Sequence, residues 1–226
     1  MPAPMPPAPS ARAFYDSEYH FAEDVDRPNP ERLWHALRPL EPLAGTTLLD
    51  LGCGVGWATR LVADRGRVAR AVGLDFSRTA LTLAARHSSG RAGAPIDWVC
   101  GDGTALPFPD AVFDRAFSFG SMEHFPDVRS GFTEVARVLR PSGLAVTVVP
   151  NFYVRTGQPV EHRDTLAGWR RIIESAGLTV TGAWGDPGPA IWKNRRPLRL
   201  ALRLGLRAIG VLPLLRYQFV IRMRKR

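Results

Sequence analysis

Cysteine is scarce. Cys53 and Cys100 are the only two in 226 residues, too few for a disulfide framework, so two reduced thiols in a cytoplasmic protein are expected. Long hydrophobic runs are missing too. No stretch of about 18 uncharged apolar residues occurs, which excludes an obvious membrane-spanning helix. The N-terminus has neither a basic n-region nor an apolar h-region, so no secretory signal is expected; its run of prolines points to a disordered leader over residues 1–12. Acidic residues are absent from residues 193–226, where eleven Lys and Arg stand. The chain carries +9 in all, so residues 1–192 carry −2, the difference between +9 and +11. A nearly neutral body with a basic tail suits contact with an anionic surface and says little about chemistry elsewhere.

What is present is an alternation. Residues 13–44 form an N-terminal helical cap, interrupted at Pro28 and Pro30, with a last helix over 31–37. Apolar runs at 46–51, 68–74, 96–100, 112–119, 144–149 and 178–184 read as strands. Helical patterns fall between them at 54–65, from Ser77 to about 87, at 127–139 and at 165–176. The turn Arg140-Pro141-Ser142-Gly143 stops the third of these. Strand and helix in alternation imply an α/β fold, a parallel sheet with helices on both faces. In such sheets ligands sit at the carboxyl ends of the strands, so the residues there are the candidates for binding.

The first strand ends in Asp50-Leu51-Gly52-Cys53-Gly54-Val55-Gly56. The glycines permit a sharp turn and a close ligand approach. Their spacing differs from the G-x-G-x-x-G of dinucleotide sites, and no Gly-Lys-Ser/Thr follows as in a phosphate loop. Asp50 ahead of the loop would repel a pyrophosphate and attract a cation. Asp75 closes the second strand, where a carboxylate can accept from both hydroxyls of a ribose. At the third, Asp102 can accept from an adenine amino group while the Gly103 amide donates to a ring nitrogen.

Taken in order, Leu48-Leu49-Asp50-Leu51-Gly52-Cys53-Gly54-Val55-Gly56, Val72-Gly73-Leu74-Asp75-Phe76-Ser77, Gly101-Asp102-Gly103-Thr104-Ala105-Leu106-Pro107-Phe108-Pro109-Asp110 and Phe113-Asp114-Arg115-Ala116-Phe117-Ser118 resemble the successive motifs of class I S-adenosylmethionine-dependent methyltransferases. The stretch from Glu134 to Val146 resembles their late helix-turn-strand motif. The likeness covers roughly residues 45 to 150 and is nearest the small-molecule branch, which acts on quinones, sterols, other lipids and natural products. It implies a Rossmann-like, seven-stranded, mostly parallel sheet whose last strand inserts antiparallel, and S-adenosyl-L-methionine as cofactor. It also implies roles. Asp50 and the backbone of Gly52, Cys53 and Gly54 face the methionine part; Asp75 holds the ribose; Phe76 packs on the adenine; Asp102 and Gly103 read its edge; Phe119 lies beside the sulfonium.

Methyl transfer from a sulfonium needs alignment above all, and a general base only for a protonated nucleophile. After the fourth strand come Glu123 and His124, with His124 as candidate base and Glu123 orienting it or the acceptor. The Asn/Asp-Pro-Pro-Tyr/Phe signature of amino-group methylation, a Pro-Cys nucleophile and a two-glutamate loop are all missing. No His/Cys spacing calls for a metal. The expected reaction is in-line transfer of a methyl group to a small, lipophilic acceptor.

Residues 45–226 then form one methyltransferase domain, with a basic, leucine-rich insertion at 184–215 before a last strand at 217–223. Within the insertion Arg199, Arg203 and Arg207 recur every fourth residue over 197–211, a helical stripe against leucines that suits either a lid or the surface of an anionic membrane. Trp184, Trp192, Phe152 and Tyr153 are candidates for an apolar acceptor pocket. Two alternatives stand beside this reading: an RNA methyltransferase using the basic tail, and a cofactor-binding protein without activity. Against RNA, the basic residues are interleaved with leucine rather than with stacking aromatics, so no nucleic-acid partner is expected.

Overall fold

A computed structural model of the chain describes residues 14, 29–154, 160–186 and 217–226. The expected leader at 1–12, most of the expected cap before residue 29, and the helical stripe at 197–211 lie outside them.

The first helix, α1 (Pro30–Leu37), shows how local chemistry places an element. Asn29 caps it, its side-chain oxygen accepting from the Glu31 and Arg32 N–H groups at 3.0 and 3.1 Å. Pro30, read from sequence as an interruption, is instead the first helical residue, where its missing N–H costs nothing. Six elements follow as anticipated: β1 (Thr47–Leu51), α2 (Trp57–Gly66), β2 (Arg70–Asp75), α3 (Arg78–Ser88), β3 (Ile96–Cys100) and β4 (Phe113–Phe119). Ser77 caps α3 by accepting from the Ala80 N–H at 3.2 Å. A short turn at Met122–His124 leads to α4 (Val128–Val138), capped by Asp127.

The next strand departs from expectation. β5 is Leu139–Pro150, so it starts where α4 ends and not after the Arg140–Gly143 turn. Leu139 already pairs with Phe113, and the register then jumps so that Arg115 pairs with Leu144. The turn is therefore a bulge within the strand, with Ser142 at φ 65°. After α5 (Leu166–Ser175) come β6 (Leu178–Asp186) and β7 (Gln218–Lys225). β6 runs two residues past the expected end at Trp184, so the inserted segment is bounded by Asp186 and Tyr217.

The strand order is β3-β2-β1-β4-β5-β7-β6. Neighbours from β3 through β5 are parallel, and β7 is antiparallel to both β5 and β6. β7 is thus an interior strand, and Arg222, Arg224 and Lys225 of the basic tail belong to the sheet. Strand alternation sends side chains to two cores. Leu49, Leu51, Ala116 and Val149 pack with Phe132, Val135, Trp169 and Ile173 of α4 and α5. Leu48, Ala71, Phe117 and Val148 pack with Leu33, Leu37, Val62 and Ala63 of α1 and α2. The order reverses between β1 and β4, leaving a crevice at their carboxyl ends.

One buried ion pair fastens α1 across this crevice end. Arg32 donates through Nε and Nη2 to Asp186 Oδ2 at 3.0 and 2.6 Å, and through Nη2 to Gln218 Oε1 at 2.7 Å. Both charged partners are buried. Removing one takes the opposite charge away from the other in a dry setting. Asp186→Ala is therefore expected to lower the unfolding free energy by about 3–5 kcal/mol in urea titrations, while Arg32→Met/Asp186→Leu restores most of it; a single variant as stable as the parent would contradict this account.

Candidate functional site

The glycine loop follows β1 and is held by its neighbour. The N–H groups of Gly52 and Cys53 both donate to Leu74 O, at 2.8 and 3.0 Å. The Gly54 N–H donates to Asp75 Oδ2 at 2.8 Å. Asp75 Oδ1 accepts from the Ser77 N–H at 2.9 Å, which sets the start of α3. One carboxylate at the end of β2 thus shapes two turns.

The three glycines are not equivalent. A Cβ on Gly52 would collide with Ser121, and one on Gly56 with the Trp98 ring. These two are explained by packing inside the protein. Gly54 has φ +51° and nothing within 4 Å of a Cβ position, so the loop presents open space there. That is the place where a ligand can meet backbone.

Asp50 sits beneath the loop, 1% exposed, and accepts from the Thr59 hydroxyl of α2 at 2.6 Å. Burial pushes its carboxyl up from 3.8 to about 8, with the Thr59 hydrogen bond opposing and the Asp75 charge adding. Burial likewise pushes the Cys53 thiol up, helped by Asp50 and Asp75. Phe76 is half-buried beside Asp75, its carbonyl facing the Cys100 thiol at 3.7 Å. The Gly101 N–H donates to Asp75 O at 3.0 Å, which brings the third strand end to the second. Asp102 is exposed and accepts from the Thr104 N–H and hydroxyl, both at 2.8 Å. Gly103 is buried under Phe125 and close to Leu51. Asp50, Gly52, Cys53, Gly54, Asp75, Phe76, Asp102 and Gly103 therefore form one row along the carboxyl ends of β1, β2 and β3. Phe119 stands apart from that row at the end of β4, half-buried, with the Arg32 guanidinium 5.2 Å from its ring centroid.

Beyond β4 the chain turns directly onto the loop. Ser121 donates to Leu51 O at 2.8 Å, and its hydroxyl lies 2.8 Å from that of Ser118. This brings Glu123 and His124 to the crevice. The Glu123 side chain is 3% exposed; its Oε1 is 4.0 Å from His124 Nε2, and its Oε2 is buried without a hydrogen-bond partner. Burial pushes the Glu123 carboxyl up to about 8, with Glu161 adding to the effect. His124 Nδ1 lies 2.6 Å from Val160 O. A carbonyl only accepts, so Nδ1 carries the proton and the neutral ring keeps its lone pair on Nε2. Burial lowers the His124 pKa, against the Val160 bond and the Glu161 charge, so the ring is neutral at pH 7.

A second segment, residues 160–164, was not found from sequence. The His162 N–H donates to Glu123 O at 2.7 Å, and Asn151 bridges to Asp164. Glu161-His162-Arg163-Asp164 was visible as a polar cluster ahead of α5. Nothing local tied it to a turn nearly forty residues earlier. Thr59 and the bond that Ser121 makes were missed for the same reason, since each acts only through a partner on another element.

Residues 49–147 match a family model described as a methyltransferase domain. The chain is 35% identical over 198 residues to a demethylmenaquinone methyltransferase of Corynebacterium kroppenstedtii, covering 73% of this chain and 78% of that protein. It is 34% identical over 152 residues to 24-methylenesterol C-methyltransferase 2 of Oryza sativa subsp. japonica, covering 62% of this chain and 41% of that one. Several of the curated relatives are longer, and the chain spans between 39% and 50% of their length. Among solved structures, phosphoethanolamine N-methyltransferase 2 of Haemonchus contortus in complex with S-adenosyl-L-methionine shares the fold, with a TM-score of 0.72 at 17% identity over 97% of this chain and 60% of that one. With the strand order, the glycine loop and a relative matched over most of its length, the chain belongs to the class I S-adenosylmethionine-dependent methyltransferases.

Proposed function

We propose that the chain transfers a methyl group from S-adenosyl-L-methionine to a small, lipophilic acceptor by in-line displacement. The observation that carries this is the open face of Gly54, whose N–H is held by the Asp75 carboxylate while Asp50 lies buried beneath the loop. A water-poor cradle with the Asp75 charge at its edge, and with an Asp50 carboxyl that a cation would help to ionise, suits a cationic ligand and opposes a pyrophosphate. The bound cofactor supplies a methyl carbon on a sulfonium, an electrophile with a neutral leaving group. The residues do the rest. Gly52, Cys53 and Gly54 line the methionine part, with Asp50 beneath. Asp75 takes the ribose hydroxyls on the lone pairs its two backbone donors leave, Phe76 packs on the adenine, and Asp102 and Gly103 meet the adenine edge. Phe119 closes the β4 side.

On the acceptor side, His124 Nε2 takes the proton of a hydroxyl or acidic carbon as the nucleophile forms. Glu123, a neutral acid at pH 7, orients the acceptor or the imidazole. A lipophilic acceptor is supported by the sterol and demethylmenaquinone methyltransferases to which the chain is similar. The basic tail supports peripheral contact with an anionic membrane, carried by residues 193–216 because 218–225 are tied into the sheet.

Calorimetry with S-adenosylhomocysteine tests the cofactor reading. Micromolar binding is expected, weakened at least tenfold in Asp75→Ala; no heat, or equal binding by the variant, would remove it. His124→Asn is expected to lower kcat about a hundredfold or more with S-adenosylhomocysteine affinity unchanged, and an undiminished kcat would remove the base. The pH dependence of stability follows from Asp50 and Glu123. Both are pushed up to about 8 in the fold, so the folded chain holds protons that the unfolded chain has released. That stability is full below about pH 4 and is lost as pH rises through about 8. The ligand-free chain should melt at a lower temperature at pH 9 than at pH 6, and Asp50→Asn should flatten the slope; a melting temperature rising over this range would contradict the assignment.

A further inference from the structure

Most large apolar side chains of the described residues are covered, but a few at the carboxyl rim of the sheet are not. Phe152 is 50% exposed and Tyr153 65% exposed, directly after β5. Tyr217, which leads into β7, is 37% exposed, and its carbonyl accepts from the Asn151 N–H at 3.2 Å. The three therefore share one stretch of rim.

The pair Phe152–Tyr153 is held out by hydrogen bonds. The Phe152 N–H donates to Asn151 Oδ1 at 2.8 Å, and the Val154 N–H to Asn151 O at 2.9 Å. Arg163 Nη1 donates to Phe152 O at 3.0 Å, while its guanidinium lies 6.0 Å from the Phe152 ring centroid. The two rings meet edge to face at 5.5 Å. Such a knob presents apolar ring faces with a phenol and a guanidinium beside them, the chemistry of a bilayer interface where one end is dry and the other wet.

Two further observations select the occupant. The chain leaves the sheet at Asp186 and returns at Tyr217, and the sequence between them has seven Lys and Arg and no Asp or Glu. Both ends of that stretch are anchored at this rim, and an anionic surface is the electrostatic complement of its sequence. No helix among the described residues is long and apolar enough to cross a membrane. The knob is also continuous with the proposed acceptor side: Arg163 follows His162, whose N–H is bonded to Glu123 O at 2.7 Å.

We infer that Phe152, Tyr153 and Tyr217 form an insertion edge that docks on an anionic lipid bilayer and opens the acceptor side of the crevice toward the membrane. This deepens the proposed function and rests on its lipophilic acceptor: a molecule dissolved in the bilayer reaches His124 by passing the aromatic edge instead of crossing water.

The test is sedimentation of the full chain with vesicles of phosphatidylcholine alone and with added phosphatidylglycerol, at fixed ionic strength. Phe152→Ser/Tyr153→Ser serves as the apolar variant. The parent is expected to bind phosphatidylglycerol vesicles at least tenfold better than neutral ones, and the variant to lose about tenfold of that binding. S-adenosylhomocysteine affinity, measured on the same samples, should be equal in the two proteins. It reports on the fold and on the methyltransferase reading separately, because neither substituted residue belongs to the cofactor row. No vesicle binding by the parent, or equal binding by parent and variant, overturns the inference. So does a variant that changes only the self-association of the chain in sedimentation velocity, since the edge would then be an interface between copies.

Discussion

The site depends on one carboxylate receiving two backbone N–H groups. Asp75 takes Gly54 on one oxygen and Ser77 on the other. A dry carboxylate without donors is costly, and a dry N–H without an acceptor is costly as well. Each end therefore needs the other. The loop after β1 cannot relax without stranding the carboxylate, and α3 cannot shift without losing its first turn. The parallel pairing of β1 with β2 supplies the distance over which this works. A row of ligand-facing groups then follows from strand order alone, because β3, β2, β1 and β4 end side by side.

The same burial that stiffens the loop sets its electrostatics. Asp50 lies beneath it and Asp75 at its edge, and burial pushes the Cys53 thiol away from ionisation, with the two acids adding to the effect. The free chain settles this by keeping Asp50 protonated. A cation placed over Gly54 favours the ionised form instead, so protonation of the site is linked to the charge of what it holds.

The acceptor side is built differently. The turn at Met122–His124 belongs to the crevice because Ser121 is bonded to Leu51 O. It belongs to the 160–164 segment because His124 and Glu123 each make one backbone bond to it. The imidazole is thereby committed on Nδ1 and available as a base only through Nε2. The aromatic edge is attached to that same segment through Arg163, which joins a surface feature to a buried one within a few residues.

The fold was legible in the sequence to a large degree. Its signals are local: apolar runs, helical periodicity, and an acid at the end of each of the first three strands. The resemblance of those motifs supplied the insertion of β7. Two readings changed on the same ground: Pro30 opens a helix because Asn29 caps it, and the Arg140–Gly143 turn lies inside β5 because Leu139 finds a partner in Phe113. What the sequence by itself determined is therefore the order of elements and the identity of the strand-end acids, both written in near-neighbour patterns. Only the tertiary structure decided which glycine faces open space, that Asp50 lies beneath the loop on Thr59, that His124 is bound to residue 160, and that Arg32 pairs with Asp186. Each of those joins residues from 9 to 154 positions apart, and pairing at such distances is settled by strand order and burial, which no local pattern encodes.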